Sequence, residues 1–103
     1  MTIAKITLYT VEVLSQTSKT SAFVKLYDSN ERQIGSISFW RPEFIEAAIA
    51  DELASPADDN LIFASEQLSE VLDILRNEQP VYFVSTRGVG KIIAGKEPVG
   101  EAE

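Results

Sequence analysis

The chain contains no cysteine and no histidine among its 103 residues, and only one methionine and one tryptophan. Without cysteine there is no disulfide framework and no thiolate nucleophile. Without histidine a Ser-His-Asp triad and a histidine-ligated transition metal are both ruled out, and structural zinc needs at least one of the two missing residue types. Carboxylates, lysine, tyrosine and serine are what remains for chemistry. That is thin material for an enzyme of this size, so no catalytic residue, metal ligand or cofactor site is expected. Apolar runs are short as well: none approaches the roughly 20 residues of a membrane span, and Met1-Thr2-Ile3-Ala4-Lys5 does not open a signal-type segment. The expectation is a soluble, cytoplasmic protein with no membrane partner.

At 103 residues, 45% of them hydrophobic, the chain is long enough for one core and too short for two. A single α+β domain over residues 1–97 is expected, followed by a mobile acidic tail over 98–103. The net charge of −7 is unevenly spread. Residues 1–42 carry five bases against three acids, whereas residues 43–78 carry ten acids and one base, Arg76. The first half is basic-leaning and the middle strongly acidic.

The stretch from Ala22 to Trp40 reads as a β-hairpin. Asp28-Ser29-Asn30-Glu31 is a polar turn between two runs rich in β-branched and aromatic residues, with Asp where a type I turn favours it. A four-residue loop pairs Val24 with Gly35 and Ala22 with Ile37, and leaves Phe39 near Thr20; a bulge near Gly35 is the rival arrangement. Strand alternation then places Ala22, Val24, Leu26, Ile37 and Phe39 on a core face. The second face carries Phe23, Lys25, Tyr27, Arg32, Ile34, Ser36, Ser38 and Trp40, with Tyr27 opposite Arg32 for a cation–π pair. It is aromatic and basic, without a carboxylate of its own.

Before the hairpin, residues 3–14 read as a strand whose alternation changes phase, since Ala4, Ile6 and Leu8 share one face and Val11 and Val13 the other. A bend near Tyr9-Thr10 accounts for this. After it, Arg41-Pro42 stops the sheet, and a helix is predicted over 42–54 with Phe44, Ile45, Ala48, Ile49 and Leu53 as its apolar stripe. Leu61-Ile62-Phe63 has no clear assignment and would serve as a plug beneath the helices. Ser65 is a candidate N-cap for a helix over 66–77, with Leu68, Val71, Leu72 and Leu75 as its stripe. Past Gln79-Pro80, residues 81–86 and 91–94 read as a hairpin. The expected architecture is an antiparallel sheet of about five strands, a three-strand N-terminal meander plus the C-terminal hairpin, with two helices packed on one face.

Two apparent motifs dissolve on inspection. Gly88-Val89-Gly90-Lys91 lacks the first glycine of a phosphate loop, since position 85 is Ser, and has Ile92 where Ser or Thr is required. Asp58-Asp59-Asn60 lacks the alternate spacing and turn glycine of a calcium loop. The functional expectation therefore rests on the hairpin's second face, with Phe23, Lys25, Tyr27, Arg32, Ile34 and Trp40 as partner-binding residues, and with Lys5 and Tyr9 as candidates to extend it. The leading expectation is a small non-enzymatic protein-interaction module that self-associates through this face, as a dimer or other homo-oligomer. The alternative is single-stranded nucleic acid, stacked on the aromatics and held by the bases. Net charge opposes that alternative.

Overall fold

The computed structural model describes residues 2–55, 59–86 and 89–95. The expected tail over 98–103 lies outside them. The first strand bends at Thr7 into two pieces, β1 (Thr2–Ile6) and β2 (Leu8–Val13). The predicted phase change is present, but it falls at Thr7, earlier than Tyr9-Thr10. Ile6 points into the core, and the next residues to do so are Tyr9 and Val11. Thr7 donates its N–H to the carbonyl of Tyr27 at 2.8 Å, which ties the bend to the following hairpin.

That hairpin is β3 (Thr20–Tyr27) and β4 (Gln33–Trp40). Its register differs from the expected one by two residues: Val24 faces Ile37 and Ala22 faces Phe39. Asp28 explains the difference. Its carboxylate accepts the N–H groups of Asn30 at 2.9 Å and Arg32 at 3.0 Å, while its backbone N–H donates to the Arg32 carbonyl at 3.0 Å. The loop thereby shortens to Ser29, Asn30 and Glu31, a type I turn closed by Glu31 at φ 62°. One extra residue, Ile34, is then accommodated between the Tyr27–Gln33 and Leu26–Gly35 pairs. This is the bulge beside Gly35. A slip of two keeps the core face of the hairpin, and Ala22, Val24, Leu26, Ile37 and Phe39 are all fully buried.

The single five-stranded antiparallel sheet does not form. The apolar run after the first helix is a strand, β5 (Asn60–Ala64), and it lies parallel to β4, with Leu61 opposite Ile37 and Phe63 opposite Phe39. Helix α1 (Ile45–Ala54) makes the crossover that a parallel pair requires. The C-terminal hairpin, β6 (Val81–Thr86) and β7 (Val89–Ala94), pairs with β1 instead of joining the meander. The result is a mixed four-stranded sheet, β2-β3-β4-β5, and an antiparallel three-stranded sheet, β1-β6-β7. The fold is α+β, with the bent first strand shared between the two sheets.

The core fills the space between them. Ile6, Val81 and Phe83 come from the three-stranded sheet, and the buried residues of β3, β4 and β5 from the other. They come close at Gly35, where a Cβ would sit 2.6 Å from two ring carbons of Phe83. Helix α2 (Leu68–Asn77) covers the core with Leu68, Val71, Leu72, Ile74 and Leu75, the predicted stripe with one addition. A 3₁₀ turn at Ser65–Gln67 precedes it. Ser65 does not cap: its hydroxyl bonds Ser21 Oγ at 2.8 Å, and Gln67 Oε1 accepts the Ala64 N–H at 2.9 Å in its place. Helix α1 starts three residues later than Pro42, and packs along β5. Of its predicted stripe only Ala48 is buried, and Ile49 and Leu53 are exposed. The expectation that both helices pack on one face of a single sheet is therefore replaced by one helix over the core and one beside its edge.

Candidate functional site

The expected site is the outward face of the four-stranded sheet, and the strands bring most of it together. Phe23, Lys25 and Tyr27 alternate along β3, each half-buried, with Ser36, Ser38 and Trp40 alternating beside them on β4. Trp40 is fixed by its own strand: the indole Nε1 donates to Ser38 Oγ at 2.9 Å, and Ser38 Oγ in turn donates to the Leu61 carbonyl at 3.4 Å. The tryptophan is thus bonded to the residue two positions before it, which closes Ser38 off from water.

Several expected members are elsewhere. Arg32 belongs to the turn and does not face Tyr27, whose partner across the strand is Gln33. The cation–π contact seen among the described residues is Lys19 Nζ, 5.6 Å from the ring centre of Phe44. Ile34, displaced by the bulge, packs against the core. Tyr9, opposite Leu26, does so too, and Lys5 lies on the other sheet, opposite Tyr82. Nor is the face free of carboxylate, because β2 lays Glu12 opposite Phe23. Glu12 Oε2 comes within 3.9 Å of Lys25 Nζ, so the one lysine of this face has a local counter-charge. The other strong cation nearby, Arg41, holds the β2–β3 loop: its guanidinium donates to the carbonyls of Ser18 at 2.8 Å and Ser15 at 3.0 Å.

The three-stranded sheet offers a second outward face that sequence reasoning missed. Pairing sets Lys5, Tyr82 and Ile93 in one row and Ile3, Val84 and Lys91 in the next, with Val89 opposite Thr86 at the end. None of its three strands contains an acid. The missing signal was long-range: the lysines are 86 positions apart in the chain, and only the pairing of β1 with β6 places them together.

Two grooves flank these faces. The larger, about 590 Å³, runs between the Thr7 bend and the end of α2, and is lined by Lys5, Tyr9, Leu75, Glu78 and Pro80. The smaller, about 220 Å³, lies where α1, β5 and β7 meet, with Ile49, Leu53, Ile62, Phe63 and Val89 in its walls. For the carboxylates, no group of three or more that could hold a metal ion is gathered among the described residues. Asp58 and Gly88 lie outside those residues; Asn60 Oδ1 is taken up by Ser36 Oγ at 3.0 Å. No helix among them is long and apolar enough to cross a membrane.

Comparison with protein-family models, with curated proteins and with solved structures gave no match. What the chain does has to be argued from its own surfaces.

Proposed function

We propose that this is a small non-enzymatic interaction module, and that the outward face of the four-stranded sheet receives a protein partner. The observation that carries the reading is the Glu12–Lys25 pair on a face otherwise built from Phe23, Tyr27, Trp40 and serine hydroxyls. Such a face is aromatic and close to neutral, the composition of an interface centre, where aromatic residues are enriched and unpaired charge is depleted. The alternative, single-stranded nucleic acid, needs cations free to meet phosphates, and a neighbouring carboxylate works against that. Self-association stays part of the proposal, with a second copy as the first partner to test.

The single tryptophan provides the experiment. A partner seated on this face shields Trp40, so emission should shift to the blue and resist quenching by iodide or acrylamide when the partner is present. If that partner is a second copy, the shift tracks protein concentration and is abolished by Tyr27→Glu. Quenching by an oligonucleotide that weakens steeply with added salt would replace this reading with the nucleic-acid one.

A further inference from the structure

The exposed apolar surface is concentrated away from the hairpin. Of the seven large hydrophobic residues left exposed among the described residues, Ile3 (63%), Val89 (66%) and Ile93 (39%) lie on the outward face of the three-stranded sheet, and Ile49 (41%) and Leu53 (61%) on α1. Val89 joins the two groups, since it ends the sheet face and also lines the groove with Ile49 and Leu53. Val89 therefore links the helix to the sheet face, on which Lys91 stands between Val89 and Ile93.

Its two halves carry opposite charge. The sheet half has Lys5 and Lys91 and no acid; α1 has Glu46, Asp51 and Glu52 and no base. Helical spacing sets Glu46 on the same side as Ile49 and Leu53, three and seven residues before them. An apolar ridge edged by an acid thus lies beside an apolar sheet edged by lysines. This is the arrangement a two-fold axis requires, because rotation by half a turn lays each half on its opposite in the other copy.

We propose that this patch is an isologous contact between two copies of the chain, the Glu46–Ile49–Leu53 ridge of each lying on the Ile3–Lys5–Lys91–Ile93 sheet face of the other, with Val89 near the axis. The proposal goes beyond the partner face of the four-stranded sheet and does not depend on it. The dimensions suit a modest dimer: three strands of five residues span about 10 Å by 17 Å, and ten helical residues add a ridge about 15 Å long. That is at the small, transient end of specific interfaces, so a weak dimer is expected. At a net −7 apiece the copies repel at long range, and an orientation that sets Lys5 and Lys91 against acids offsets part of that repulsion.

Sedimentation equilibrium over about 1 to 300 µM protein, concentrations that bracket a modest interface of this kind, tests it. The expected result is a monomer–dimer equilibrium, weakened at least about tenfold by Val89→Asp, a change at an exposed site. Charge exchange then reads the geometry. The Lys5→Glu/Lys91→Glu variant and the Glu46→Lys variant should each be monomeric alone, and should form a one-to-one dimer when mixed, since each then offers the other complementary halves. Unchanged circular dichroism and urea midpoints in all variants separate loss of contact from loss of fold. Two results would overturn the proposal: a wild-type protein that stays monomeric throughout the range, or a dimer that ignores these changes. If in the last case Tyr27→Glu dissolves the dimer, the contact lies on the four-stranded sheet, and the reading of that face survives while this one fails.

Discussion

The two sheets share one core but treat their buried serines differently. Ser38, in the four-stranded sheet, is 2% exposed and fully engaged, accepting from the Trp40 indole and donating to the Leu61 carbonyl. Ser85, in the three-stranded sheet, is completely buried, and its hydroxyl has no hydrogen-bond partner among the described residues. The outward faces repeat the contrast, since Lys25 has a carboxylate within 3.9 Å, whereas Lys5 and Lys91 share a sheet without one. The four-stranded sheet supplies partners for Ser38 and Lys25 from its own strands. Among the described residues, the three-stranded sheet leaves the Ser85 hydroxyl without a hydrogen-bond partner, has no carboxylate in its strands for Lys5 and Lys91, and keeps more of its large apolar side chains exposed.

This contrast can be broken most forcefully at Gly35, where the two sheets meet. Gly35→Ala places a methyl group against the Phe83 ring and should destabilise the domain by about 1 to 3 kcal/mol, the range for overpacking a core. Urea unfolding measures it. An unchanged midpoint would mean that the sheets are not held at this separation by that contact.

A smaller and sharper test compares the serines. Ser38→Ala removes the acceptor of the Trp40 indole and should cost about 1 to 2 kcal/mol. Ser85→Ala removes a hydroxyl that was desolvated without compensation, so stability should stay level or rise by up to about 1 kcal/mol. Opposite signs in paired denaturation curves are the expected outcome; equal losses would mean that the Ser85 hydroxyl is satisfied after all.

The smallest effect belongs to the outward ion pair. Both members are substantially solvent-exposed, at 42% for Lys25 and 53% for Glu12. Glu12→Gln should therefore alter stability by no more than about 0.5 kcal/mol, and the difference should shrink with added salt. Its more telling effect is on binding, because freeing Lys25 should raise affinity for a single-stranded oligonucleotide at low salt if the carboxylate is what disfavours that ligand.

Much of the hairpin was legible because its information is local. Alternation assigns Ala22, Val24, Leu26, Ile37 and Phe39 to the core, and a register in error by two residues leaves that assignment intact. The turn was harder to read, since the same Asp28 serves a four-residue loop and the observed three-residue one. The choice falls to Glu31 accepting a left-handed backbone and to Ile34 being taken into a bulge. Of the expected partner face, Phe23, Lys25, Tyr27 and Trp40 share one side of the sheet, whereas Arg32 and Ile34 are drawn off by that turn and bulge. Glu12 joined the face unannounced, because nothing in β2 alone shows which residues of β3 it will oppose.

By itself, then, the amino-acid sequence determined what repeats over a few residues. This includes the facing of β3 and β4, the stripe of α2, the stop at Arg41-Pro42 and the absence of any thiol or imidazole chemistry. Each depends on side-chain type at a period of 2 or about 3.6, which neighbours in the chain already specify. Tertiary structure decided which strands meet. It bent one strand at Thr7 between two sheets, made Leu61-Ile62-Phe63 a parallel partner of β4, and carried the C-terminal hairpin to β1. Those pairings are settled by burying a common core, with Phe83 set against Gly35, and a core is a property of residues far apart in the chain. The acid-free face with Lys5 and Lys91 follows from the same non-local pairing, and so could be found only once the strands were in place.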